Sequence, residues 1–304
     1  MNARAKTVVL LIITGLLWSL GGVFIKTTDA HPFVISCLRS LVAAACLFAY
    51  LRGKPRFVFT RAQWTGALCY AATVTTFVAA TKLTTSANAI LLQYSSPIFV
   101  AILGWFILKD ALYWYDFVSM GAVSVGLVLL LSGSPGFGPV NAGAPGLGTP
   151  GLGAQGLGSL DLGPLAGNIL AVFSGFFYAS LMVSLKMHKT GSQVETIILG
   201  NLIAVLFGLP FLFFYPITVA ALAPIAFLGA FQIALPYALF AKASENASAL
   251  DLALLPIIEP LLNPLWVFFA TGEQPAASTY AGGAILLSVI TLRSVIAIKS
   301  EPRT

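Results

Sequence analysis

The sequence predicts an all-α integral membrane protein whose ten transmembrane helices form two inverted five-helix repeats. Three observations predict it. Hydrophobic residues make up 58% of the chain and charged ones 9%, against about 45–50% and about 25% in soluble domains. Ten runs are long and apolar enough to cross a bilayer. The first five echo the second five at a spacing of about 160–163 residues.

Composition narrows the function classes. A net charge of +6 could suggest nucleic acid, but the basic residues flank apolar runs instead of forming a patch, so no nucleic-acid partner is expected. Cys37, Cys46 and Cys69 all fall within apolar runs and read as small buried hydrophobes, with no disulfide or metal spacing. His31 and His188 sit at the ends of different segments, so neither a metal site nor a cofactor is expected.

A spanning helix takes roughly 17–25 mostly apolar residues. The runs are 7–25, 32–51, 64–81, 86–108, 114–131, 165–185, 194–214, 222–241, 248–270 and 279–298. They are continuously apolar and do not alternate, which indicates helices rather than barrel strands. The first exceeds the roughly 7–15 residues of a signal-peptide core and reads as a span.

Lys and Arg placement sets the orientation. With the amino terminus inside, twelve basic residues face the cytoplasm: Arg4, Lys6, Arg52, Lys54, Arg56, Arg61, Lys109, Lys186, Lys189, Lys242, Lys299 and Arg303. Only Lys26 and Lys82 flank outer ends. Both termini are therefore expected in the cytoplasm of a multi-pass protein of the cell inner membrane. The sequon at Asn246 would then be cytoplasmic, and reads as chance.

Residues 132–164 hold 11 glycines and 5 prolines and no Lys or Arg. A near-repeat of five residues runs from Pro145 to Ser159 within them. No strand-to-helix context surrounds these glycines, so they are not a nucleotide loop. The composition reads as a flexible outer linker. It divides a first repeat (1–131) from a second (165–304).

The halves match residue by residue. Gly15, Trp18 and Lys26 correspond to Gly175, Tyr178 and Lys186, and Gly66-Ala67 to Gly229-Ala230. Ser96-Pro97 corresponds to Glu259-Pro260, Asp110 to Glu273, and Arg39 falls opposite Asn201. Five spans is an odd number, so the second half lies upside down relative to the first. Inverted repeats around a midplane site suit alternating access in secondary transport.

These residues also resemble a known family. Gly15 through Trp18 to Lys26 is similar to the first-helix signature of EamA-type transporters, and so is Arg39 within Cys37 to Leu41. Ser86 to Pro97, running on to Lys109-Asp110, resembles their fourth helix. Ser248 through Glu259-Pro260 to Gly272-Glu273 resembles their ninth. The family belongs to the drug/metabolite transporter superfamily, and the likeness covers essentially the whole chain. It implies ten helices in inverted repeats around a central cavity, and transport of small metabolites, often export of amino acids. Two departures stand out: Ser19 follows Trp18 where glycine is common, and the linker is unusually long.

Charges inside the spans are few. Arg39, Asp251, Glu259 and Arg293 lie within them, with Asp116 and Glu195 at their ends. A charge at a helix centre costs roughly 2.5–3.5 kcal/mol on insertion scales. Asp251 and Arg293 lie near cytoplasmic ends and can reach the interface by snorkelling. Arg39 and Glu259 lie near mid-membrane and must be paired, protonated or facing water. Pro256, Pro260 and Pro264 predict a kinked or opened helix around Glu259, and Pro97 a matching bend in the fourth span. Glu259, Asn263 and Trp266 share one helical face. Trp18, Gln93, Ser96, Tyr178, Asn201 and Gln232 lie at similar depth.

An arginine for a carboxylate, a glutamate for an ammonium and aromatics for a side chain would suit an amino acid. The expected function is secondary transport, exporting amino acids or similar small metabolites, with a proton or an exchanged solute as the coupled partner. Sugars, nucleotide sugars or cationic drugs are the alternative solutes. No hydrolase or metalloprotease motif and no P-loop is present, so an enzyme is not expected. A topology reporter inserted within 132–164 is expected to work only outside the cell; cytoplasmic activity would invert the orientation.

Overall fold

The computed structural model describes residues 3–109, 113–132, 163–187, 193–244 and 255–300. The five-residue repeat of the linker, Asp110, His188, the sequon at Asn246, Ser248 and Asp251 lie outside the described residues. Every described element is a helix. The first run comprises α1 (Ala3–Ser19) and α2 (Gly21–Thr27). Next come α3 (Pro32–Tyr50), α4 (Arg61–Leu83), α5 (Ser86–Gln93), α6 (Ser96–Leu103) and α7 (Trp114–Ser132). The second half holds α8 (Gly163–Met187), α9 (Gln193–Gly208), α10 (Phe211–Phe214), α11 (Val219–Phe227) and α12 (Leu235–Ser244). It ends in α13 (Ile258–Thr271) and α14 (Ala277–Ser300).

Among the described residues, eight segments are long and apolar enough to cross a membrane, the last being Val219–Ala243. The ninth run is seen as α13 after one 3₁₀ turn at Leu255–Ile257. The apolar part of α14 is Ala277–Arg293. The chain is thus an all-α, multi-pass membrane protein. Its large exposed side chains, such as Phe213 at 84% and Val219 at 85%, are the surface the bilayer covers.

Helix starts follow the caps. Thr60 Oγ1 accepts the Gln63 N–H at 3.2 Å, which starts α4 at Arg61 rather than at 64. Thr85 Oγ1 does the same for Asn88, at 3.2 Å, and starts α5. Pro32 opens α3 where its missing N–H costs nothing.

Besides the first, which breaks at Leu20 between α1 and α2, three more runs that read as continuous in the sequence are interrupted. The fourth breaks at Tyr94–Ser95, where the ladder tightens to a Ser95 N–H to Leu92 C=O bond of 3.1 Å and Pro97 sits in the first turn of α6. It ends in a widened π turn over Gly104–Leu108. The seventh breaks at Leu209–Pro210. The eighth widens to a π turn over Leu228–Ala234, a few residues past Pro224, whose ring cannot extend the ladder.

α4 packs against α8 and α9, and α3 against α9 and the Leu228–Ala234 turn. α1 packs on α12 and α13, α5 and α6 on α8, and α7 on α14. With no hydrophobic drive between helices in lipid, close approach depends on small residues. At the α7–α14 crossing, a Cβ built on Gly282 would lie 2.6 Å from the Gly126 carbonyl oxygen. Gly282→Leu is therefore expected to destabilise the detergent-solubilised protein by about 1–3 kcal/mol in thermal unfolding. Gly121, with nothing within 4 Å of such a Cβ, is expected to accept alanine with a gain of up to ~1 kcal/mol.

Candidate functional site

Arg39 lies in the middle of α3 and is 2% exposed. Its Nη2 donates to the Val74 carbonyl of α4 at 2.9 Å, and its Nη1 to Gln232 Oε1 at 3.3 Å. Gln232 stands in the π turn of the eighth span, which turns its amide toward α3. Arg39 Nε is buried without a partner. Among the described residues, the guanidinium is thus held by neutral oxygens alone, with no carboxylate against it.

Glu259 lies in the first turn of α13, directly after the 3₁₀ turn, where the positive end of the helix favours an anion. Its Oε2 accepts the Tyr94 hydroxyl at 3.2 Å. That hydroxyl also lies 3.4 Å from the Pro256 carbonyl. Tyr94 comes from the break in the fourth span, so two irregular segments meet at this carboxylate. Tyr178 and Tyr237 stand within its electrostatic reach. Tyr237 is also within reach of Arg39. No ion pair joins Arg39 to Glu259. Of the arrangements open in the sequence, pairing of these two residues is not the one in this structure.

The aromatic side chains cluster around Tyr237, which is within electrostatic reach of both charges. Trp18 meets Tyr237 edge-on at 5.5 Å and Phe240 at 5.9 Å, and Tyr237 meets Tyr70 edge-on at 5.6 Å. The Tyr70 hydroxyl accepts from Asn201 Nδ2 at 3.1 Å. Trp18, Tyr94, Tyr178, Tyr237 and Glu259 are all half-buried.

Other residues singled out in the sequence are engaged elsewhere. Gln93 donates to Ser174 Oγ at 2.7 Å, and Asn201, fully buried, also donates to the Ile197 carbonyl at 2.9 Å. Asn263 Oδ1 accepts from Ser86 Oγ at 2.6 Å, leaving its buried Nδ2 without a partner. Ser96 is buried beside Pro97 at the start of α6. Trp266 Nε1 donates to Ser19 Oγ at 3.0 Å, so the serine after Trp18 joins α13 to α1. Arg293 pairs with the buried Asp116 at 2.7 Å and ties α14 to α7.

Tyr70, Tyr94 and Tyr237 were missed in the sequence. Their signal was a hydroxyl at mid-span, which needs a partner when buried. A separate apolar groove of about 320 Å³, lined by Phe99, Leu131, Ile169, Val172, Phe173 and Phe176 with Asn168, lies between α6, α7 and α8 and includes neither charge.

Comparison with known proteins places this geometry. Residues 5–132 match the EamA-like transporter family. Over 308 residues the chain is 25% identical to an uncharacterized transporter of Archaeoglobus fulgidus, which covers 95% of this chain and 97% of that one. A solved crystal structure, 14% identical, superposes with a TM-score of 0.60 over 98% of this chain and 99% of that one, and shows the fold alone. The chain is a membrane transporter and not an enzyme. Both likenesses support an EamA-type transporter of the drug/metabolite transporter superfamily.

Ser19→Gly, which installs the residue common in the family, is expected to leave the Trp266 N–H without its acceptor. A loss of about 1–3 kcal/mol in thermal unfolding is expected, and an unchanged melting temperature would remove this bond from the account.

Proposed function

We propose that the protein is a secondary exporter of amino acids or similar small zwitterions, working by alternating access between two inverted five-helix repeats, 1–131 and 165–304. Both termini face the cytoplasm, and the protein resides in the cell inner membrane. The observation that carries the solute class is the pair of unpaired charges: Arg39 with neutral oxygens only, and Glu259 with a tyrosine. A buried guanidinium without a counter-ion is a receptor for a carboxylate, with bidentate geometry available through its fork. A carboxylate bonded to Tyr94, with Tyr178 and Tyr237 within its electrostatic reach, is a receptor for an ammonium. Trp18 and Tyr237 would flank the rest of the solute, with Gln232 holding Arg39 in place. Asn201 would act through Tyr70. Gln93, Ser96 and Asn263, beside the broken segments, would shape the path, with Pro97 and Pro260 setting the breaks.

The inverted arrangement is supported by the packing. α4 meets α8 and α9 as the eighth span meets α1 and α3, and α5 and α6 meet α8 as α13 meets α1 and α2. Exchanging the first five spans for the last five maps these contacts onto one another. The equivalent glycines fit as well: a Cβ on Gly66 would meet Thr196 of α9, and one on Gly229 the Arg39 carbonyl of α3. The coupled partner is a proton or an exchanged solute, with Glu259 as the titratable group at the centre. Cationic drugs are the second reading, favoured by the tyrosines within reach of Glu259.

Overproduction in cells is expected to lower intracellular levels and raise extracellular levels of one or a few amino acids. Arg39→Met removes an uncompensated buried charge, so the solubilised protein is expected to melt at an equal or higher temperature while export is lost. Glu259→Gln is expected to remove gradient-driven export at normal expression. Wild-type export by both variants would end this reading, and a shift only in cationic compounds would favour the second.

A further inference from the structure

At the outer ends of α2 and α4 two lysines exchange partners. Lys26, in the last turn of α2, donates to the carbonyl of Thr84, the residue that caps α4, at 2.6 Å. Lys82, in the last turn of α4, donates to the carbonyl of Thr28, the residue that caps α2. Each ammonium thus serves the negative end of the other helix. The exchange brings two like charges within electrostatic reach of each other.

Glu273, in the loop after α13, offsets Lys26, and Asp29 lies within electrostatic reach of Lys82. One Glu273 oxygen pairs with Lys26 at 2.9 Å, and the other accepts the N–H of Ser86, the first residue of α5, at 2.7 Å. The Ser86 hydroxyl is itself bonded to Asn263 of α13 at 2.6 Å. One carboxylate therefore links the ends of the first, third, fourth and ninth runs.

We propose that Lys26, Lys82 and Glu273 form the outer gate of this transporter, a clasp that is closed in this structure and must part for a solute to leave past it. This rests on the orientation and alternating access proposed above. Three features suit a gate rather than a permanent brace. The Lys26 and Glu273 side chains retain 17% and 18% exposure, and a pair that borders water contributes little by itself. Both lysines bond to helix-end carbonyls, which water can satisfy when the clasp opens. Glu273 is the acid paired with Lys26, while Asp29 acts on Lys82 from electrostatic reach, so release of Glu273 leaves Lys26 facing Lys82 without its own counter-ion and favours parting of the ends.

The test needs no solute. A reporter cysteine is placed at Tyr178, in a chain whose Cys37, Cys46 and Cys69 are alanine, and its labelling by a membrane-impermeant maleimide is followed in right-side-out vesicles. Glu273→Gln is expected to raise the external labelling rate about tenfold, the scale of one charge-assisted contact. Glu273→Asp keeps a carboxylate that can pair with Lys26 and accept the Ser86 N–H, and is expected to hold the rate to within about threefold of the parent, the scale of an exposed pair. Equal labelling in the parent and Glu273→Gln chains, both monodisperse in detergent, overturns the gate. A response confined to inside-out vesicles overturns its outer assignment. Absence of amino-acid export would leave these rates unchanged, so failure of the solute reading and failure of the gate are separable.

Discussion

Lipid offers no hydrogen bonds, and the structure is organised around that fact. A helix may open its backbone at membrane depth only where protein covers the opening. The break at Tyr94–Ser95 is covered by α8, whose Gly175 comes so close that a Cβ there would lie 2.7 Å from the Gln93 carbonyl oxygen. The π turn over Leu228–Ala234 is covered by α3, with Gly229 set against the Arg39 carbonyl. The 3₁₀ turn at Leu255–Ile257 lies against α1. The same three openings deliver Tyr94, Gln232 and Glu259. Irregularity, close-packed glycine and polar chemistry are one feature seen three ways.

Within that scaffold, the two charges are retained against stability. Each would cost roughly 2.5–3.5 kcal/mol at a helix centre, and a direct ion pair would recover part of it. The fold instead gives Arg39 two neutral oxygens and Glu259 one hydroxyl. Asp116 and Arg293 make the contrast. They are paired at 2.7 Å and join α7 to α14, a structural use of the same chemistry.

Much of this was legible in the sequence. Apolar runs gave the spanning helices, and the rarity of charge drew attention to Arg39 and Glu259 before any geometry was known. The prolines marked the neighbourhood of the breaks, because a missing N–H is a local property. The position of a break was less legible: Pro97 lies in the first turn after it, since an opened helix restarts best on a residue that needs no donor. Partner choice was not legible at all. That Ser19 would accept from Trp266, or that Arg293 would find Asp116, depends on which helices become neighbours, and one sequence carries no signal for that. The midspan tyrosines were readable in type but not in role, because a hydroxyl needs a partner without saying which.

The central claim is that Arg39 and Glu259, apart from each other, together hold the solute. Ligand binding raises the melting temperature of the folded protein by mass action, so a thermal-shift screen of the purified protein against amino acids tests it directly. The account predicts that at least one zwitterion raises the wild-type melting temperature in a concentration-dependent way, and that Arg39→Met and Glu259→Gln, though folded, each lose that shift. An undiminished shift in both variants would contradict it.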